Sequence, residues 1–167
     1  MNDAISQLCP NCGLCCDSTL FADVELRKGD DAKALTQAGL KLFQKKKATV
    51  AFSQPCACFV GRRCAIYQDR PKHCRLFECR LLKKVAAAEL PAAVALKKIA
   101  ETRKLAEKIR RLLRECGQRD ETMALTHRYA AAMNAPIDLA DEGAADRRGE
   151  LMLAVGDLMQ ILERDFL

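Results

Sequence analysis

Hydrophobic residues recur at helical spacing through the second half of the chain. Between Pro91 and Gly117 they lie three or four positions apart, at Leu96, Ile99, Thr102, Ala106, Ile109 and Leu113. The basic residues of this segment lie mostly off that line. Pro91 suits the first turn of a helix, and Gly117 is a natural end. The pattern predicts one long helix with a single buried face.

Helical patterns flank this segment on both sides. The segment LLKKVAAAEL, residues 81–90, is rich in strong helix formers. Asp120 can cap a third helix that runs to Met133, with Leu125, Tyr129 and Met133 on one face. Residues 134–150 have the composition of a loop. A last helix is marked by Leu151, Val155, Leu158 and Leu162.

The first half has a weaker and more mixed pattern. Residues 19–26 are typical of a short strand. Asp30 and Asp31 can cap a short helix carrying Leu35, Ala38, Leu40 and Leu42. We therefore expect a mainly α protein with little strand. Residues 1–80 would form a cysteine-rich module, and residues 81–167 a bundle of three to four helices packed onto it as one compact unit.

Cysteine is concentrated in that first half. Nine of the ten cysteines lie within residues 1–79, at Cys9, Cys12, Cys15, Cys16, Cys56, Cys58, Cys64, Cys74 and Cys79. The first residues, MNDAISQL, lack the features of a secretion signal, and no apolar run approaches the ~20 residues of a membrane span. These observations predict a cytoplasmic protein with no membrane contact. In a reducing compartment, clustered thiols favour metal binding over disulfides.

Charge is unevenly distributed. The net charge of +6 divides into +5 over residues 1–80, +7 over 81–119 and −6 over 120–167. A basic middle and an acidic end can face each other within one fold. Alternatively, the cations from Lys97 to Arg114 could form a nucleic-acid-binding helix. That alternative ranks last, because the segment lacks interleaved aromatic residues and a recognisable binding motif.

The first cysteine group reads CPNCGLCC over residues 9–16. The C-x2-C-x2-C spacing of Cys9, Cys12 and Cys15 is one that holds a [4Fe–4S] cluster when a distant thiol completes it. Cys9 and Cys12 could instead form half of a zinc site. Adjacent residues point in different directions, so Cys15 and Cys16 either serve two centres or include one buried or reactive thiol.

The second cysteine group occupies residues 56–79. The spacing of its cysteines matches no zinc-finger rule. Metal binding is indicated instead by the number of cysteines in one short segment. Tyr67 and Phe77 can wall a site, and arginines surround it, including Arg70 and Arg75. A nearby arginine lowers a thiol pKa and offsets thiolate charge, although the same cations could be a solvated face.

Three further residues carry weaker signals. His73 adjoins Cys74, but enough thiols are present without it. His127 is expected at a helix surface, and Cys116 is expected to pack near a helix end.

Together the two groups resemble the bacterial CxxCxxCC cysteine-cluster family, described as zinc- or iron-chelating. The first box matches through CPNCGLCC, and the second through CFVGRRCAIYQDRPKHCRLFEC, with Val60 in place of the usual Leu. The resemblance covers residues 9–79 and implies eight metal-binding thiols: Cys9, Cys12, Cys15, Cys16, Cys58, Cys64, Cys74 and Cys79. Cys56 is additional to the pattern and could compete with Cys58.

Eight thiols suit two zinc sites, or one iron–sulfur cluster with the remaining thiols structural or holding a second metal. Iron–sulfur is slightly favoured over zinc. Arg70, Arg75 and Tyr67 are expected around the bound group. The leading hypothesis is a cytosolic metal-binding protein whose centre organises the fold. The alternative is an enzyme, or an enzyme component of modification or methyl-transfer type by distant family analogy. An unidentified protein partner is compatible with either.

Overall fold

The structure is a computed structural model that describes residues 3–46, 48–138 and 140–167, with side chains from residue 8 onward. Lys47 and Leu139 lie outside the described residues; Leu139 belongs to the segment predicted as loop. About half of the chain is helical. The described elements are α1 (Asp3–Cys12), β1 (Asp23–Glu25), α2 (Ala32–Gln37), β2 (Leu42–Lys46), β3 (Thr49–Ser53), β4 (Phe59–Val60), β5 (Arg63–Cys64), α3 (Lys72–Leu76), α4 (Arg80–Ala86), α5 (Ala92–Glu115), α6 (Leu125–Asn134) and α7 (Ala144–Asp165).

The helical second half agrees with the predicted pattern. The buried residues of α5 are Ala95, Ile99, Thr102, Ala106, Ile109, Leu112 and Leu113. They pack with Leu151, Ala154, Leu158 and Leu162 of α7 in one core, and Leu125 of α6 joins them. Gly117 follows the end of α5 with a positive φ of 84°, which glycine adopts most easily because it has no Cβ.

Two helix starts differ from the prediction. Helix α6 begins at Leu125, and the Asp120 carboxylate instead accepts hydrogen bonds from the backbone N–H and hydroxyl of Thr122, at 2.9 and 2.6 Å. Aspartate favours such local turns as readily as helix caps. Helix α7 begins at Ala144, inside the segment predicted as loop. The added first turns contain Ala144, Ala145, Arg147 and Arg148, which are strong helix formers, and the buried face begins at Leu151.

The first half contains more strand than predicted. Strands β1, β3 and β2 form an antiparallel sheet in that order, and β4 pairs with β5 in a separate hairpin. Asp31 caps α2 as expected, accepting from the Ala34 N–H at 2.9 Å. The helix ends at Gln37, however, and Leu42 opens β2. Leu40 instead enters a second, smaller core with Val24, Leu35, Phe52 and Cys58.

The cysteine-rich half is joined to the helices by apolar and polar contacts. Leu8 and Leu14 belong to the helical core. Arg103 of α5 donates to the Asn11 carbonyl at 3.1 Å. Arg110 donates to the Asp17 carbonyl at 2.9 Å and forms an ion pair with the Asp17 carboxylate at 3.1 Å. Helix α5 therefore supports the loop that carries the first cysteine group.

None of the helices in the described residues is both long and apolar enough to span a membrane.

Candidate metal centre

Eight of the ten cysteines line one cavity. Its volume is about 120 Å³, and it lies between α1, the two sheets and the starts of α3 and α4. The cysteines that line it are Cys9, Cys12, Cys15, Cys16, Cys56, Cys64, Cys74 and Cys79. The remaining lining is mainly apolar and aromatic. Thiols distant in sequence therefore share one enclosed and poorly solvated space.

A tight turn after α1 directs the first cysteine group. Gly13 has a φ of +76°, and its carbonyl accepts from the N–H groups of Cys16 and Asp17 at 2.8 and 3.0 Å. A methyl group added at Gly13 would lie 2.5 Å from the Phe59 ring. The Cys16 carbonyl then accepts from the Cys56 N–H at 2.8 Å. This hydrogen bond joins the two cysteine boxes directly.

The charge effects that the eight thiols exert on one another's pKa values fall mainly into two sets, with Cys15 affected by members of both. In the first group, burial raises the pKa of Cys12 to about 12, and Cys79 and Cys9 contribute to the rise. Burial also raises the pKa of Cys15, with contributions from Cys12, Cys16, Cys79 and Cys9. We call Cys9, Cys12, Cys15 and Cys79 the first thiol group.

The second thiol group consists of Cys16, Cys56, Cys64 and Cys74. Burial raises the pKa of Cys16, and the other three members add to the effect. Burial likewise raises the pKa of Cys56 to about 12, with the neighbouring Cys58, Cys64 and Cys74 contributing, and that of Cys74 to about 11, with Cys64 contributing. The adjacent pair Cys15–Cys16 thus sends one thiol to each group.

Arg70 lies where it affects both groups. Its guanidinium stacks 3.6 Å above the centre of the Tyr67 ring, and its Nε donates to the Tyr67 carbonyl at 2.7 Å. Its charge acts to lower the pKa of Cys9 in the first group and of Cys74 in the second, against the larger effect of burial. Arg70 and Tyr67 both line the cavity, whereas Arg75 is exposed and does not.

Cys58 adjoins the second thiol group: burial raises its pKa, Cys64 adds to the rise, and a hydrogen bond with Cys56 opposes it. It is 2% exposed within the second core, and its thiol donates to the Ala38 carbonyl at 3.2 Å. It does not line the cavity, whereas Cys56 does. The ligand role expected for Cys58 stays a prediction, and Cys56 occupies the position that faces the other thiols.

The remaining candidate residues are clearly placed. His73 lines the cavity, with its ring edge-on to Phe21 at 6.3 Å between centres. Cys116 is partly buried against the helical core, and His127 is exposed.

The sequence reasoning missed Gln54. Its side chain is 1% exposed and lines the cavity, and its Oε1 has no hydrogen-bond partner among the described residues. Buried polar atoms are rarely left unpaired, so this oxygen marks a position where a bound group or water would be stabilised. No local pattern distinguishes Gln54 from an ordinary polar residue after a strand.

The donor set fits a thiophilic metal. Cysteine sulfur is the preferred ligand of zinc and of iron–sulfur clusters, and eight such donors face a shielded cavity. Within the described ranges, no group of three or more His, Cys, Asp or Glu side chains is arranged to hold a metal ion as it stands. The cavity therefore fits a metal in the type of ligand atom and in which thiols share the space. The described thiols do not lie at coordination distances.

Comparison with known proteins agrees with this chemistry. The family model CxxCxxCC, whose description reads "Putative zinc- or iron-chelating domain", matches residues 8–93. The chain belongs to this family. The match takes in both cysteine boxes, α4 and the start of α5, and it supports metal binding without distinguishing zinc from iron. No curated protein and no solved structure matches the chain.

Proposed function

We propose that this CxxCxxCC protein holds metal in two neighbouring centres, one at each thiol group. The observation that carries the proposal is that eight thiols line one cavity, and their effects on one another's pKa values fall mainly within two sets of four. Four thiolates complete a structural zinc site or hold one iron–sulfur cluster. Because Cys15 and Cys16 are adjacent, the two centres would be linked through a single peptide unit.

The first thiol group is the better candidate for an iron–sulfur cluster. Three of its members have the C-x2-C-x2-C spacing, and Cys79 is the distant fourth thiol that such clusters require. The backbone N–H groups of Leu82 and Leu81 act to lower the pKa of the Cys79 thiol, against the larger effect of burial. Hydrogen bonds to cluster sulfur tune the reduction potential. When bound, a cluster would supply one-electron redox chemistry in a mainly apolar cavity.

The second thiol group is the better candidate for a single zinc or iron ion. Its members come from a turn, a loop, a hairpin and a short helix, so no cluster-type spacing is present. Arg70 lies between the groups, and its charge would offset part of the thiolate charge of both. The proposal includes a cytoplasmic location, because thiols must stay reduced to bind zinc or iron. It also includes a redox role for the iron–sulfur cluster.

Metal and sulfide analysis of the full chain tests the assignment. After anaerobic purification we expect iron, acid-labile sulfide and visible absorbance that bleaches reversibly with dithionite. A colourless protein with about two zinc ions per chain and no labile sulfide would contradict the iron–sulfur assignment and leave the two-centre proposal standing. A single metal centre that needs thiols from both groups would contradict the division.

Cys56 and Cys58 provide a matched pair of variants. We expect Cys56→Ser to lose the metal of the second centre, because its thiol faces Cys16, Cys64 and Cys74. Cys58→Ser should keep that metal, although its stability should fall. Elemental analysis of both variants decides the question. Metal loss in Cys58→Ser with full occupancy in Cys56→Ser would restore the family pattern as the ligand set.

A further inference from the structure

A groove on the other side of Cys12 carries unpaired positive charge. It has a volume of about 660 Å³ and runs between α5, the first cysteine loop and the segment that leads into α6. Cys12, Phe59 and Arg62 line both this groove and the thiol cavity. A molecule in the groove would therefore lie next to the first thiol group.

The groove has more cations than its carboxylates can pair. Five basic residues line it: Arg62, Arg103, Lys104, Arg110 and Arg128. Three carboxylates line it as well, and all three are engaged. Asp17 and Glu107 pair with Arg110, and Glu121 pairs with Arg114. Within the described part of the chain, the other four lining cations have no carboxylate partner.

Arg128 is the most unusual of these cations. The residue is only 2% exposed, and within the described residues its guanidinium donates one hydrogen bond, to the Gln118 carbonyl at 2.6 Å. Its Nε is buried without a partner there. Burial lowers the pKa of Arg128; Glu121 has the largest opposing charge effect, and Arg114 and Arg110 add repulsion. A buried guanidinium without an anion is costly unless something supplies one.

We propose that this groove binds a small oxyanion, a phosphate or carboxylate group of a metabolite, held by Arg128 and Lys104. The planar guanidinium fork suits two oxygens of either group, and a lysine adds a mobile point charge. A volume of about 660 Å³ lies within the usual range of small-molecule sites. The groove thereby places a charged ligand against the Cys12 side of the first thiol group.

Two probes test the proposal: inorganic phosphate and malonate, which separate the two sources of oxyanion. Each is titrated into the metal-loaded, anaerobically purified full chain. Isothermal titration calorimetry supplies the affinities. We expect one site per chain for at least one of the two probes. Lys104→Ala should weaken binding about threefold, and Arg128→Lys should weaken it about tenfold or more, since it removes the paired donors.

Lys97→Ala is the matched control. Lys97 is an exposed cation on the same helix and does not line the groove. It should bind both probes as the parent does. If Arg128→Lys fails to fold, as judged by circular dichroism and thermal melting, the threefold loss in Lys104→Ala compared with Lys97→Ala still decides the question.

Three results would overturn the proposal. The first is no binding of either probe. The second is equal weakening in Lys97→Ala and Lys104→Ala, which would indicate diffuse charge. The third is preference for single-stranded DNA with a steep salt dependence, which would assign the groove to nucleic acid.

Discussion

Gly13 shows how a single residue positions the thiols. It ends α1 directly after Cys12 and starts the turn that sends Cys15 and Cys16 in different directions. Two requirements coincide there: a positive φ of 76°, and contact with Phe59 that leaves no space for a side chain. Both requirements arise because the chain reverses next to the β4–β5 hairpin.

We predict that Gly13→Ala lowers the free energy of unfolding by at least about 1–2 kcal/mol, the usual cost of left-handed backbone for a residue with a Cβ. The clash with Phe59 should add to that cost. Denaturant unfolding of the metal-loaded protein measures the change.

Two further variants separate the causes. Phe59→Ala should relieve the clash but not the backbone cost, so Gly13→Ala should stay destabilising in that background. Gly156→Ala, in α7 with open space at its Cβ position, should instead stabilise by about 0.5–1 kcal/mol. A neutral Gly13→Ala would show that the turn can rearrange.

Helix α5 is the element on which the two halves of the chain meet. One face packs against α7 in the core, and its arginines hold the first cysteine loop. At its N-terminal end, Lys98 donates to the Asp165 carboxylate at 2.8 Å, where Arg164 also binds. The Asp165 side chain is 4% exposed, so this ion pair closes the end of α7 against α5.

We predict that Asp165→Asn lowers the free energy of unfolding by about 1–2 kcal/mol, because it removes the charged acceptor of Lys98 and Arg164, whose own charges stay partly hydrated. Thermal and denaturant unfolding measure this, with exposed Asp157→Asn on the same helix as the control. A loss no larger than that of the control would contradict a structural role for the pair.

The pH dependence of this contact has a definite sign. Burial acts to raise the Asp165 pKa, but hydrogen bonds from Arg164 and Lys98 outweigh it and hold the pKa below the ordinary 3.8. The stabilisation that ionised Asp165 gives the folded state is therefore complete above the unfolded-state pKa. It is lost as pH falls through the lower folded-state pKa. Asp165→Asn should remove that part of the acid sensitivity.

At the scale of the whole molecule, burial and metal binding act on the thiols in opposite directions. Burial keeps the thiols protonated, whereas metal ligation requires thiolates. In the metal-free chain, the raised pKa values of Cys12, Cys56 and Cys74 favour the fold below the ordinary pKa of 9.0. That contribution is lost as pH rises toward about 12 for Cys12 and Cys56 and about 11 for Cys74.

We predict that apparent zinc affinity rises steadily from pH 6 through pH 9, with several protons released per ion, since the thiols must lose protons on binding. Calorimetry in buffers of different ionisation enthalpy measures the proton count. Release of less than one proton per ion at pH 7 would show that the thiols are already ionised, contrary to the effect of burial.

Metal removal should loosen the two halves unequally. We predict that chelation abolishes hydrogen-exchange protection in residues 13–79 before it affects α5 and α7, because the helices have a large apolar core of their own. Cys116→Ser serves as a control, since that thiol lies away from the cavity and should not change the order of loss. Simultaneous loss of protection in both halves would contradict the expectation that metal stabilises residues 13–79 while the apolar core stabilises α5 and α7.

The sequence by itself determined the helices of the second half and the chemistry of the first. The 3.6-residue periodicity of α5 is a local signal, and the spacing of Cys9, Cys12 and Cys15 lies within one short segment. The grouping of the thiols and the burial of single polar side chains depend on contacts between distant residues, so tertiary structure decided them.

Cys79 joins the first thiol group only because α4 packs beside α1. Cys56 faces the cavity while Cys58 enters a core, because the β4–β5 register and the Ala65 hydrogen bond to the Cys58 carbonyl orient that segment. Arg128 and Gln54 are ordinary polar residues in the sequence, and only burial leaves their atoms unpaired.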